Sequence, residues 1–247
     1  MLDPDSLDRA MEGADAVVTS AAGYTRRGAD ALEIDTVGQA NLAEAASRTG
    51  VPRFVLTSIL TCDQTPQVPH FWHKKLAEDK LEELGVPFVS LRPGAFLDQA
   101  VQMMGDPFAA RRLTWIGDAD VPLTFVLTTD LAGYLADAVD APGVEGQRID
   151  IGWDRPVSIT DIAGIASRLI GAEISVRAMQ ANRAASPEGA GEAASQMPSD
   201  MSAMLDWFET GRYVADTTRQ GEVFGPVPTA EDAIAGLATR LGHAVSR

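Results

Sequence analysis

The chain has 247 residues and a formal net charge of −15, from 20 lysines and arginines against 35 aspartates and glutamates. Such a surplus of negative charge repels phosphate backbones and argues against sequence-independent nucleic-acid binding. At 45% hydrophobic and 22% charged residues, the composition is that of a globular protein with a sizeable core, and no run approaches a membrane-spanning stretch.

In chain order, Asp3-Pro4 predicts an N-cap followed by a first-turn proline, and Gly13 a stop, giving a helix over 4–12. The acidic residues around it do not form an export signal. Ala16–Thr19 reads as a short apolar strand. Asp35 or Thr36 is the expected cap of a helix running through Arg48 and ended by Gly50. Arg53–Thr57 is a near-continuous apolar strand, as in a parallel sheet covered by helices. Cys62 is the single cysteine, which excludes an intrachain disulfide and suits a reducing cytoplasm.

A helix is predicted from about His70 to Leu84, then a strand Pro87–Leu91 and an Arg92-Pro93-Gly94 turn. This β-α-β unit places a lysine, Lys74, and a proline-glycine turn at one end of a parallel sheet, where open α/β folds bind ligands. Beyond Asp98, Leu123–Val126 and Arg148–Ile151 read as extended, Thr129-Asp130 opens a helix to Asp140, and Thr160 is the expected cap of a helix ending near Gly171. Ile174–Arg177 is another strand candidate. Residues 180–199 are small, polar and Gly/Pro-bearing, which makes them the loop or lid candidate. Met201, Met204, Leu205 and Phe208 form a helical stripe that reads as core, and Thr229–Asp232 resembles a capping box before the last helix.

In this order and spacing the pieces resemble the NmrA-like, atypical branch of the short-chain dehydrogenase/reductase superfamily. LDRAMEGADAVV (7–18) is similar to a family helix and strand, and NLAEAASRTGVPRFVLTS (41–58) to the next pair. Lys74-x-x-x-Glu78 with LEELGVPFVSLRPGAF resembles the lysine helix and the strand after it; TTDLA (128–132) and FGPVPT (224–229) look like later landmarks. The resemblance implies an α/β fold: a Rossmann-like, mostly parallel sheet in 1–98, short of its N-terminal strands, and a smaller α+β substrate lobe in 99–247 interleaved with the end of the sheet. It implies NAD or NADP as cofactor and a small-molecule substrate.

Two departures qualify this. No glycine-rich phosphate-binding turn is found near the start, since Gly13, Gly23, Gly28 and Gly38 have the wrong spacing. A truncated reading frame is the favoured explanation, and the strand 16–19 would then expose an edge for a homodimer partner, another chain or another segment to cover. Secondly, with Lys74 in the family register, the tyrosine of the usual Tyr-x-x-x-Lys pair is His70, and the serine position falls at about Ser58 or Ile59. Imidazole can replace the tyrosine as acid or base, and a buried Lys74 can itself act.

The candidate catalytic residues are therefore Lys74 and His70, and the cofactor-wall candidates are Thr19, Ala21, Ser58, Lys74, Pro93, Gly94 and Phe96. Each has a plainer reading: Lys74 as a surface lysine paired with Glu78 at i,i+4, His70 as a loop histidine, Pro93-Gly94 as a tight turn. Phe71, Trp72, Phe96 and Trp115 suit either an apolar pocket or the core. His70-x-x-His73 lacks the further ligands of a metal site, and a lone Cys62 is more often inert than nucleophilic. The function implied is NAD(P)-dependent hydride transfer to a quinone or conjugated carbonyl. The alternatives are a non-catalytic NAD(P)-sensing regulator and an inactive homologue that binds no dinucleotide.

Overall fold

In a computed structural model, residues 1–23, 32–179 and 192–245 are described. Contacts divide the chain into two compact units, one formed by the described residues of Met1–Arg92, Gly133–Ile149 and Arg183–Met204, the other by those of Pro93–Ala132, Asp150–Asn182 and Leu205–Arg247. The elements run α1 (Pro4–Met11), β1 (Val17–Thr19), α2 (Gln39–Thr49), β2 (Phe54–Thr57), α3 (Pro69–Glu83) and β3 (Phe88–Pro93). They continue with β4 (Ala95–Phe96), α4 (Leu97–Met104), α5 (Pro107–Ala110), β5 (Arg112–Ile116), β6 (Phe125–Val126), α6 (Thr128–Asp140) and β7 (Gln147–Ile151). The last are α7 (Ile159–Ile170), β8 (Ser175–Met179), α8 (Glu192–Glu209), α9 (Thr218–Phe224) and α10 (Ala230–Arg240).

The first unit is built on a sheet of order β1-β2-β3-β7. Val17 pairs with Phe54 and Phe54 with Phe88, both in parallel, so β1, β2 and β3 share a carboxyl edge. The crossovers are the helices the sequence implies. Asp3 accepts the Ser6 N–H at 3.2 Å and caps α1, and Gly50 closes α2 in the left-handed region at φ 68°. Leu42 and Ala46 of α2, Ala77 and Leu81 of α3, and Met11 of α1 bury against Phe54, Leu56 and Phe88. This is the apolar face that holds the β-α-β order together.

The second unit contains two short parallel pairs, β4-β6 and β5-β8. Thr124 is its junction: its N–H donates to Tyr213 O (3.0 Å), its carbonyl accepts from Ala95 (2.9 Å), and its hydroxyl accepts from Ala215 (2.9 Å). A Cβ on Gly94 or Gly152 would collide with Thr124, so both positions need glycine for close packing. No helix among the described residues is long and apolar enough to cross a membrane.

Four sequence expectations need correction. Arg92 and Pro93 are strand, not turn: β3 runs through Pro93, all six residues buried. Helix α7 is capped by Ser158, whose Oγ accepts the Asp161 N–H at 3.0 Å while Asp161 accepts the Ser158 N–H at 2.9 Å. Thr160 cannot form such a box, because the residue three further on is Ala163. Residues 192–199 are helical, the first part of α8, while 180–191 lie outside the described residues, as do Arg26, Arg27 and Gly28. Asp35 and Thr36 cap nothing; they lie within a π-helical turn, Leu32–Gly38, that leads into α2.

Candidate functional site

Helix α3 starts on Pro69, which contributes no N–H where none is needed, and places His70, Lys74 and Glu78 on one buried face. Lys74 does not pair with Glu78. Its residue is only 4% exposed, and the ammonium donates to the Ala21 carbonyl at 2.8 Å, two residues past the end of β1. The cation thus sits at the carboxyl edge of the parallel strands. Gln39 Nε2 donates to the same carbonyl at 3.1 Å, and Thr19 Oγ1 accepts the Ala21 N–H at 3.4 Å.

The counter-charge is Asp35, 2% exposed, with Oδ1 3.6 Å from Lys74 Nζ. Its Oδ2 accepts the Gly23 N–H at 3.1 Å, while Oδ1 has no hydrogen-bond partner among the described residues, the ammonium lying just beyond hydrogen-bond reach. Burial pulls the Lys74 pKa below its ordinary value, and the Asp35 carboxylate opposes that fall. Sequence reasoning missed Asp35 as a site residue because a polar residue before a helix reads as a cap. A π-helical turn, which rotates it inward, has no periodic signature.

His70 lies one turn before Lys74, buried and edge-on to Phe71 at 4.7 Å between ring centroids. Burial, reinforced by His73 and Lys74, lowers its pKa to about 4, so the imidazole is neutral near pH 7 and carries no proton to spare as a general acid.

On the next turn Glu78 is fully buried and receives Arg92 Nε and Nη2 (2.9 and 2.6 Å), Ser90 Oγ (2.7 Å) and Arg148 Nε (3.1 Å). Burial works to raise its pKa, but the Arg92 hydrogen bonds and charge prevail and hold it below the usual carboxylate value. Ser58, also buried, lies with Oγ 3.6 Å from Cys62 Sγ, which in turn is 3.8 Å from Glu78. Burial, then Glu78, pushes the thiol up to about 12, which leaves it a protonated packing group rather than a nucleophile.

The structure therefore gathers Thr19, Ala21 and Lys74, adds Gly23, Asp35 and Gln39, and places His70 and Ser58 in the same unit. Pro93, Gly94 and Phe96 belong to the other unit, where the Gly94 N–H donates to Ile151 O at 2.9 Å and Ala95-Phe96 pairs with β6. Phe71 is core, Trp72 lies beneath Lys75 at 5.9 Å, and Trp115 packs on Phe125 at 5.9 Å. Among the described residues no cluster of three or more potential metal ligands occurs.

A nicotinamide dinucleotide asks for a cation near its ribose hydroxyls and open backbone N–H groups for its phosphates. Lys74 has the charge and the sheet-edge position for the first. Gly23, the described glycine that follows β1, does not offer the second: its N–H is taken by Asp35. The fit is to the ribose end of the group.

Comparison with known proteins agrees with this architecture. A family described as NAD(P)H-binding matches residues 1–142. The photosystem II assembly factor Ycf39 of Synechocystis is 26% identical over 171 residues, which cover 68% of this chain and 52% of that protein. The chain spans about half the length of the curated relatives it matches. Among solved structures, Citrobacter sp. triphenylmethane reductase complexed with NADP(H) superposes with a TM-score of 0.72 at 16% identity, over 96% of this chain and 81% of that one. The Escherichia coli NADPH-dependent quinone oxidoreductase QOR2 complexed with NADPH gives 0.70 at 19% identity, over 95% and 80%. These two likenesses concern the fold, a Rossmann-like α/β sheet. With its parallel strands, its lysine helix and a match over more than half its length, the chain belongs to the NAD(P)H-binding family.

Proposed function

We propose that the chain is an NAD(P)H-dependent oxidoreductase acting on a small organic acceptor, a quinone or a conjugated carbonyl. The observation that carries this reading is the buried Lys74 ammonium at the carboxyl edge of β1, bonded to Ala21 O. Bound there, a reduced nicotinamide would supply hydride. Lys74 would hold ribose hydroxyls, and Thr19, Ala21 and Ser58 of the same unit would form the wall. His70, neutral at pH 7, does not replace the missing tyrosine as a strong acid. That favours acceptors whose reduced form needs little protonation in the transition state. The quinone oxidoreductase and the dye reductase of the same fold support this choice of acceptor.

The assembly-factor relatives favour a second reading, a non-catalytic protein that binds NAD or NADP and signals through a partner. Among the described residues β1 has a neighbour on one side only, and Val18 is 48% exposed, which supports an edge covered by a second copy or a partner chain. A cytoplasmic location suits the single buried thiol.

The test is a melting curve of the purified chain with NADPH and with NADH, followed by turnover with a quinone panel. A ligand at about 100 times its Kd raises stability by about 2.7 kcal/mol, well within reach of the measurement. A shift with turnover supports the oxidoreductase, and a shift without turnover supports the sensor. No shift with either cofactor overturns both readings in favour of a homologue that binds no dinucleotide.

A further inference from the structure

The carboxylate opposite Lys74 is the least expected feature of the site. Asp35 is one of two acidic residues, with Glu33, in a π-helical turn, Leu32–Gly38, that leads directly into α2. Such turns displace one residue from the regular face of a helix and recur at functional sites. Here the displaced residue is turned inward to 2% exposure. It is held there by the Gly23 N–H on Oδ2, which leaves Oδ1 facing the ammonium at 3.6 Å with no other donor among the described residues.

An isolated buried carboxylate is costly unless a cation offsets it, and the same holds in reverse for the ammonium. The alternatives around Lys74 are few. Cys62 is pushed up to about 12 and His70 down to about 4, so both are neutral near pH 7, and Glu78 is engaged by Arg92 and Arg148. Among the described residues, Asp35 is the anion left to face Lys74.

We infer that Asp35 is a positioning residue: its carboxylate, fixed by the Gly23 N–H, keeps the Lys74 amine charged and aimed at the carboxyl edge of β1. The inference rests on the reading of Lys74 as the working cation of the site and narrows it, from a group that donates or accepts protons to a fixed positive clamp for hydroxyl oxygens. Ala21 O supplies direction, since a neutral carbonyl accepts a hydrogen bond from amine or ammonium alike. Asp35 supplies the charge state.

The chain has three lysines, Lys74, Lys75 and Lys80, so a sample labelled with 13C at lysine Cε gives three signals. The Lys74 signal is identified by its loss in Lys74→Arg, and its pH titration reports the amine directly, without any cofactor. In Asp35→Asn the midpoint is expected to fall by about one pH unit or more, roughly tenfold in the neutral-amine fraction at a given pH. Gln39→Ala, which removes a neutral neighbour of Ala21 O, is expected to move it by no more than about 0.3 unit. If the amide disturbs the π-helical turn and the protein does not fold, Asp35→Ser removes the same charge with a smaller side chain. A folded Asp35→Asn or Asp35→Ser with the wild-type midpoint overturns the inference, as does an equal fall in Gln39→Ala. Because no dinucleotide is in the sample, this result stands apart from the melting and turnover test of the proposed function.

Discussion

His70 shows how one residue's environment decides its chemistry. In water its imidazole would titrate near 6.5; buried against Phe71 and near two other basic groups it titrates at about 4. The unfolded chain therefore takes up a proton as the pH falls below about 6.5 that the folded chain refuses until about 4, so the folded state loses stability across that window and keeps it in full above. The loss attributable to this one side chain is at most about 3 kcal/mol. Urea midpoints at pH 7 and pH 5 should thus differ less in His70→Gln than in the wild type. An identical pH loss in the two proteins would assign it to other groups. Cys62 was open between nucleophile and inert thiol on sequence grounds, and its burial beside Glu78 decides for the inert one.

At the scale of elements, α3 matters most. It carries a buried cation and a buried anion one turn apart that do not pair with each other: Lys74 faces Asp35 and Ala21, Glu78 faces Arg92, Ser90 and Arg148. An exposed i,i+4 pair contributes only a few tenths of a kcal/mol, whereas these two divergent anchors fix the rotation of the helix about its axis. Arg92 is available to Glu78 because β3 continues through the Arg-Pro pair instead of turning there. Glu78→Gln leaves two guanidinium groups facing an amide in a buried site, and an unfolding cost of about 3–5 kcal/mol is expected, as for the loss of one partner of a buried ion pair. A denaturation midpoint close to wild type would show that Arg92 finds compensation elsewhere, with Asp63 at 3.1 Å the nearest candidate.

For the whole molecule the net charge of −15 remains the governing electrostatic term. Self-repulsion of that size acts against the compact state, and the Debye length shrinks from roughly 30 Å at 0.01 M salt to about 8 Å at 0.15 M. The melting temperature is therefore expected to rise with sodium chloride over this range. A fall would mean that surface pairs such as Arg48–Asp8 and Arg155–Glu231 outweigh the general repulsion.

The strands, the helix order and the parallel α/β class were legible in the sequence because apolar runs, caps and glycine stops are local signals: Asp3, Gly50 and Thr229 act where their types suggest. Lys74 could be singled out by the same reasoning, from its place between two apolar strands. Its partners could not. Asp35 lies 39 residues away in the chain and reaches Lys74 through a π-helical turn, while Glu78 draws on Arg92 and Arg148 from separate strands. Periodicity carries information about which face of an element is buried. Which charge meets which inside is settled by packing between elements distant in sequence, where burial makes each unpaired charge costly.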